Sequence, residues 1–205
     1  MTKARNLGFI FDQNMSFHDQ ISSVVSSGYF HLRKIASVKK YLPKDLLTNL
    51  VHAFISSRLD FCNSLYIGLP EFEINRLQKL QNQAARLVTS TRRRDHITPV
   101  LKSLHWLPVR ARIIFKILIF AFRAVQGGGP DYLRLPLLST NRTTRACSAP
   151  RLKHCRSKKR SAGDRAYSVI APQLWNNLPP EIRLCATLGT FKKCLKTHLF
   201  TNCFM

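Results

Sequence analysis

The sequence predicts a mainly α fold, a helical bundle with a short N-terminal strand and a basic, loop-rich C-terminal region. Three observations carry this reading. Between Glu71 and Ser90, Leu77, Leu80, Ala84, Leu87 and Val88 recur at spacings of three and four, with Arg76, Lys79, Gln83 and Arg86 falling away from them. That is one apolar stripe of an α-helix. Between Val109 and Val125, a broader apolar face of Val109, Ile113, Ile114, Ile117, Leu118 and Phe122 alternates with Arg112, Lys116 and Arg123. Gly127-Gly128-Gly129-Pro130 then stops that second run, because glycine gives up the helix and proline prevents its return. Joined through Thr91–Pro99, the two runs predict an antiparallel packed pair with solvated basic faces.

The remaining elements follow in chain order. Asn6–Asp12 reads as a short strand with no partner strand nearby, and a lone strand leaves its backbone groups unpaired. It is therefore expected to be the edge of something larger. Ser16 is the expected cap of the next helix, with Asp19 three residues on. Ile21, Val24, Val25, Gly28, Leu32 and Ile35 continue that helix to about Val38. Pro43 opens another, in which Leu47, Leu50, Val51, Phe54 and Leu65 are expected to share a face until Gly68-Leu69-Pro70. After the central pair, Pro130–Leu138 suits one or two helical turns. Ser139–Ala162 has no apolar period and is rich in Ser, Thr, Arg and Lys, so a flexible basic linker is expected there. Asp164–Ile170, a turn over Pro172–Pro180 and a helix Thr190–Phe200 complete the chain. The expected segments are thus 1–13, 14–138, 139–162 and 163–205.

Charge sets this chain apart. It has 205 residues, with 33 Lys and Arg against 10 Asp and Glu, a formal net charge of +23. Cations less acids number 8−4 through residue 70, 12−4 over residues 71–135 and 13−2 beyond. Such a field repels itself and attracts polyanions. Candidate phosphate-binding residues are Arg92, Arg93 and Arg94 between the central helices, and Arg151, Lys153, Arg156, Lys158, Lys159 and Arg160 in the linker. They would bind through counterion release with little base readout. Tyr29, Phe30, Tyr41, Tyr66, Trp106, Tyr132 and Trp175 are the aromatic residues considered for base stacking.

Other chemistries find little purchase. Cys185, Cys194, His198 and Cys203 are spaced C-x8-C-x3-H-x4-C, which lacks the pair of cysteines two residues apart that a zinc knuckle uses. No metal or cofactor is expected. The ten acids are spread thinly, with no Asp-Asp pair, and there is no P-loop, no Gly-x-Ser-x-Gly and no His-Glu-x-x-His. No catalytic residue and no small-molecule substrate are expected. The longest apolar run, Ile113–Phe122, contains Lys116 and is short of the roughly 20 residues of a membrane span. With no secretory signal visible and six scattered cysteines, the expected setting is intracellular, nucleus or cytoplasm, with reduced thiols.

Several stretches together have a family likeness. They are Leu7-Gly8, Phe11-Asp12 and Ser16-Phe17; Ser57–Leu65 and Gly68-Leu69-Pro70; Leu77-Gln78, Gln81-Asn82 and Ala84–Leu87. Further on come His96–Leu101, Leu104–Val109, Gly163–Tyr167, Ala171-Pro172, Leu174–Asn176, Leu178-Pro179, Thr190–Lys192 and Lys196–Phe200. Over about residues 6–200 the chain resembles the C-terminal part of the polyprotein of LINE-type non-LTR retrotransposons, downstream of the reverse transcriptase palm. The resemblance implies that residues 6–12 are the last strand region of a palm and that the helices after it are a thumb gripping the template–primer duplex. It also implies a catalytically incomplete fragment, because the palm's Tyr-x-Asp-Asp turn is not in this sequence. The chain departs from the family's pattern at Gln20, where His is usual, and has no zinc knuckle near its end. The expected function is sequence-independent binding of RNA or DNA. The alternatives are an interaction module docking on a polymerase palm or another protein, and a degenerate reading frame with no selected function.

Overall fold

A computed structural model describes residues 3–138, 149–157 and 161–204, without the side chains of 161 and 162. The described chain is mainly helical with one small N-terminal sheet. It divides into two compact units, residues 3–113 and 114–203, and the division falls inside a helix. This division does not coincide with the segment boundaries expected from the sequence.

The first unit opens with a hairpin, β1 (Lys3–Asn6) antiparallel to β2 (Phe9–Asp12), with Lys3 opposite Asp12 and Asn6 opposite Phe9. Leu7 and Gly8, at φ 47° and 86°, supply the two positive-φ residues of a tight hairpin turn. The unpaired strand expected at residues 6–12 is thereby corrected. Its partner, Lys3–Asn6, is exposed at every position, so it has no apolar pattern by which to be recognised. Phe9 is buried and meets Phe17 edge-on at 5.4 Å and Tyr66 at 6.0 Å.

The expected Ser16 cap is also corrected. Asp12 accepts hydrogen bonds from the amides of Ser16 (2.9 Å) and Phe17 (2.7 Å), and α1 (His18–Val38) begins after Phe17, which is left-handed at φ 56°. Gln20 is buried and accepts the Ile10 amide at 3.0 Å, tying β2 to α1. Gln20 is thus a structural acceptor.

Helix α1 buries Ile21, Val24, Gly28, Leu32 and Ile35. The chain then passes through α2 (Lys44–Val51), a π-turn at His52–Ser56, α3 (Ser57–Asp60) and a 3-10 turn at Asn63–Tyr66. It returns as α4 (Glu71–Thr89). Matched pairs climb both helices in the same direction: His18 with Glu73, Ser22 with Arg76 at 2.7 Å, Gly28 with Leu80, and Lys39 with Ser90 at 2.9 Å. Helices α1 and α4 are therefore parallel neighbours, which requires the long return between them.

A Cβ added at Gly28 would lie 2.4 Å from Leu80 Cδ2. Only the absence of a side chain permits this approach. The face expected from Leu47 to Leu65 is corrected as well. Leu47, Val51, Ile55 and Leu59 are buried, while Phe54 and Leu65 are exposed. The wide π-turn keeps residues four apart in line, where a regular α-helix would drift by about 40° per step.

Beyond α4 lie α5 (Ile97–Ser103), which begins inside the expected connector Thr91–Pro99 and runs past it, and α6 (Val109–Val125). Two glutamines of α4 set the start of α6. Gln78 Oε1 accepts the Val109 amide at 2.9 Å, and Gln81, buried, donates to the Leu107 carbonyl at 2.8 Å. Arg112 forks onto the Asp60 carboxylate, Nε to Oδ1 at 2.8 Å and Nη2 to Oδ2.

In the second unit, α6 continues, and α7 (Ser161–Asp164), α8 (Tyr167–Asn176), α9 (Pro180–Arg183) and α10 (Leu188–Phe204) follow. Phe122, Trp175 and Phe191 form its aromatic centre, with Phe122 stacked on Phe191 at 4.3 Å. The turn expected from Pro172 is corrected, since α8 runs through Pro172 to Asn176. The imide of Pro172 falls just past the first helical turn and leaves only one carbonyl without its donor.

Residues 149–157, expected to be part of a linker without burial, are corrected too. Leu152 is fully buried and bridges Leu137, and Asn176 both donates to its carbonyl (2.8 Å) and accepts its amide (3.0 Å). No helix among the described residues is long and apolar enough to cross a membrane.

Candidate nucleic-acid interface

Because α1 and α4 are parallel, their C-terminal ends lie together. Helix C-termini carry partial negative charge that favours nearby cations, and both helices bring basic residues there. Ser90, left-handed at φ 58°, ends α4 and turns the chain into Thr91–Asp95. That turn is tied down from both sides. Arg86 donates to the carbonyls of Arg92 (Nε, 3.3 Å) and Asp95 (Nη2, 2.9 Å), and the Asp95 carboxylate accepts the Arg92 amide at 3.0 Å.

The result is a groove of about 470 Å³ with Leu32, Ala36 and Leu87 in its lining and Tyr29, Arg33, Lys39, Arg86 and Arg93 around them. A second depression of about 290 Å³ shares Lys39 and Ser90 and adds Lys44. No carboxylate lines either one. Elsewhere in this unit four acids are paired with cations: Asp19 with Lys3, Asp60 with Arg112, Glu71 with Arg110, and buried Glu73 with Arg76 and His18. Arg33, Lys39, Arg86 and Arg93 line the groove with no carboxylate partner among the described residues, so no ion pair neutralises their charge. An apolar floor ringed by such cations can hold a phosphate-bearing chain, with phosphates at the rim and sugars or bases over the floor.

The residues singled out from the sequence separate on this map. Arg93 lines the groove, while Arg92 and Arg94 are exposed in the same turn. Arg151, Lys153 and Arg156 belong to the second unit and are exposed. There Arg151 and Lys153 flank buried Leu152, in the alternation of an extended strand. Lys158, Lys159 and Arg160 lie outside the described residues, as do Arg142 and Arg145. Of the aromatic residues considered for stacking, Tyr66, Trp106 and Trp175 are buried, Tyr29 lines the groove, and Phe30, Tyr41 and Tyr132 are exposed.

Sequence reasoning missed Arg33, Lys39, Lys44 and Arg86 as candidate binding residues. The signal was that Arg33 and Arg86 both fall off an apolar stripe near a helix end, but it becomes meaningful only once α1 is known to lie beside α4. Among the described residues, no group of three His, Cys, Asp or Glu could hold a metal ion. Cys185 Sγ donates to the Glu181 carbonyl at 3.7 Å, and burial first, then the neighbouring Cys194, raises its thiol pKa. Compared with family models, curated proteins and solved structures, the chain matches none.

Proposed function

We propose that this chain is the post-palm, thumb-like part of a LINE-type retrotransposon reverse transcriptase, binding RNA or DNA without sequence preference and having no polymerase activity by itself. The observation that carries the binding reading is the groove at the paired ends of α1 and α4, with four cations on its lining and no acid. Phosphate contacts of this kind position a duplex or strand without reading its bases. The exposed cations Arg92, Arg94, Arg151, Lys153 and Arg156 extend the attractive field. Lys158, Lys159 and Arg160 add to it by sequence alone. The absence of activity rests on chemistry. Two-metal phosphoryl transfer needs carboxylates grouped to hold ions, and this sequence has no Asp-Asp pair and no Tyr-x-Asp-Asp turn. An intracellular setting, nucleus or cytoplasm, belongs to the same reading.

Binding measured across a salt series tests it. Arg33→Ala, Lys39→Ala and Arg93→Ala combined should weaken binding to all sequences alike. They should also flatten log K against log salt by roughly 0.7 to 0.9 for each phosphate no longer neutralised. Arg112→Ala should leave the slope unchanged, because Arg112 is occupied by Asp60. A triple variant that keeps both affinity and slope would remove the groove from the binding surface.

A further inference from the structure

Away from the groove, the first unit carries another grouping of rings and cations. Phe30 and Phe54 are 50% and 41% exposed. His31 stacks on Phe54 with ring centres 5.0 Å apart and planes at 23°, and meets Phe30 edge-on at 5.4 Å. Lys34 Nζ stands 5.8 Å from the centre of the Phe30 ring, and Arg58 Nη2 lies 3.2 Å from His31 Nε2. Residues 20–59 carry six Lys and Arg against one acid, Asp45, so the nearby chain is strongly cationic. The π-turn at His52–Ser56 sends Ile55 into the core and leaves Phe54 outside, against His31. Single π-turns inside helices are frequent at functional sites.

We propose that Phe30, His31 and Phe54 form a stacking platform for single-stranded nucleic acid, with Lys34 and Arg58 beside them to meet its phosphates; this rests on the nucleic-acid-binding reading above. Every base has a π-face, so open aromatic rings between cations hold a single strand whatever its sequence. In a duplex those faces are stacked on neighbouring bases, and the platform has nothing to grip. The charge of the face points to a polyanion as its occupant.

Fluorescence anisotropy on the full chain decides the matter, using labelled oligo(U), oligo(dT) and a duplex with the same number of phosphates. Phe30→Ala with Phe54→Ala should weaken binding to the single strands about ten-fold or more, leaving duplex affinity and the salt slope unchanged. Loss on only one of the two single strands also supports the platform and identifies which of the two strands it prefers. Phe30→Trp with Phe54→Trp should retain single-strand affinity, which excludes a general disturbance of folding. Unchanged single-strand affinity in the Ala variant, an equal loss on duplex, or failure of the Trp variant would overturn the platform. The groove variants would still test the parent reading. If the unaltered chain bound none of the three probes, both would fall.

Discussion

Single polar residues do much of the joining in this molecule. Asp12 holds the entry to α1, Gln20 holds β2, and Gln78 and Gln81 hold the start of α6. A buried polar group left without its partner costs about 1–3 kcal/mol; of these bonds only the one from Gln81 to the Leu107 carbonyl is fully buried, and the others are part-buried. Tyr66 shows the same dependence on environment. Burial pushes its phenol up to about 12 from an ordinary 10.0. The folded chain therefore keeps a proton that the unfolded chain releases near pH 10. Stability from this group is complete below pH 10 and is lost as pH rises toward 12. Tyr66→Phe should show a shallower loss of stability between pH 10 and 12 than the unaltered chain, measured by denaturant unfolding. Tyr167, also raised to about 12 by burial, keeps part of the slope. An unchanged alkaline slope in Tyr66→Phe would show that Tyr66 is not protected in the fold.

At the scale of elements, the close approach of α1 to α4 is decided at Gly28 and Leu80. Alanine is intrinsically better in a helix than glycine by about 1 kcal/mol. Here its methyl would press on Leu80, whose Cγ as well as its methyls lies within 3.2 Å of the added carbon. Leu80 is fully buried, and overpacking a core costs roughly 1–3 kcal/mol. Gly28→Ala should therefore destabilise by about 1 kcal/mol net. Leu80→Ala alone should cost about 2–5 kcal/mol, but it clears the space, so adding Gly28→Ala to it should be stabilising. Thermal unfolding of the four members of this cycle gives the sign, and a Gly28→Ala effect that keeps its sign in both backgrounds would contradict the packing.

Over the whole molecule, 33 cations oppose 10 acids, and self-repulsion works against compactness. The ion pairs that partly offset it are largely solvent-exposed, as with Lys3–Asp19 and Arg110–Glu71, and such pairs contribute little. Added salt screens charges over about 10 Å at 0.1 M, so it should relieve more repulsion than attraction. The melting temperature should rise between 10 and 300 mM NaCl, by roughly 2–4 °C for each kcal/mol relieved. A fall would mean that the ion pairs outweigh the net charge.

By itself the sequence determined what local periodicity and composition encode. The stripe Leu77-Leu80-Ala84-Val88 specified α4, and the glycines and Pro130 ended α6. Local pattern says which face of a helix is apolar, not which helix covers it. The neighbour of α4 was therefore out of reach, as was the meeting of Arg33, Lys39, Arg86 and Arg93 around one groove. The strand Lys3–Asn6 has no buried residue, and Phe54 changes sides through a widened turn that no hydropathy period announces. Those outcomes depend on contacts between residues distant in the chain, such as Gly28 against Leu80, and tertiary packing alone decided them.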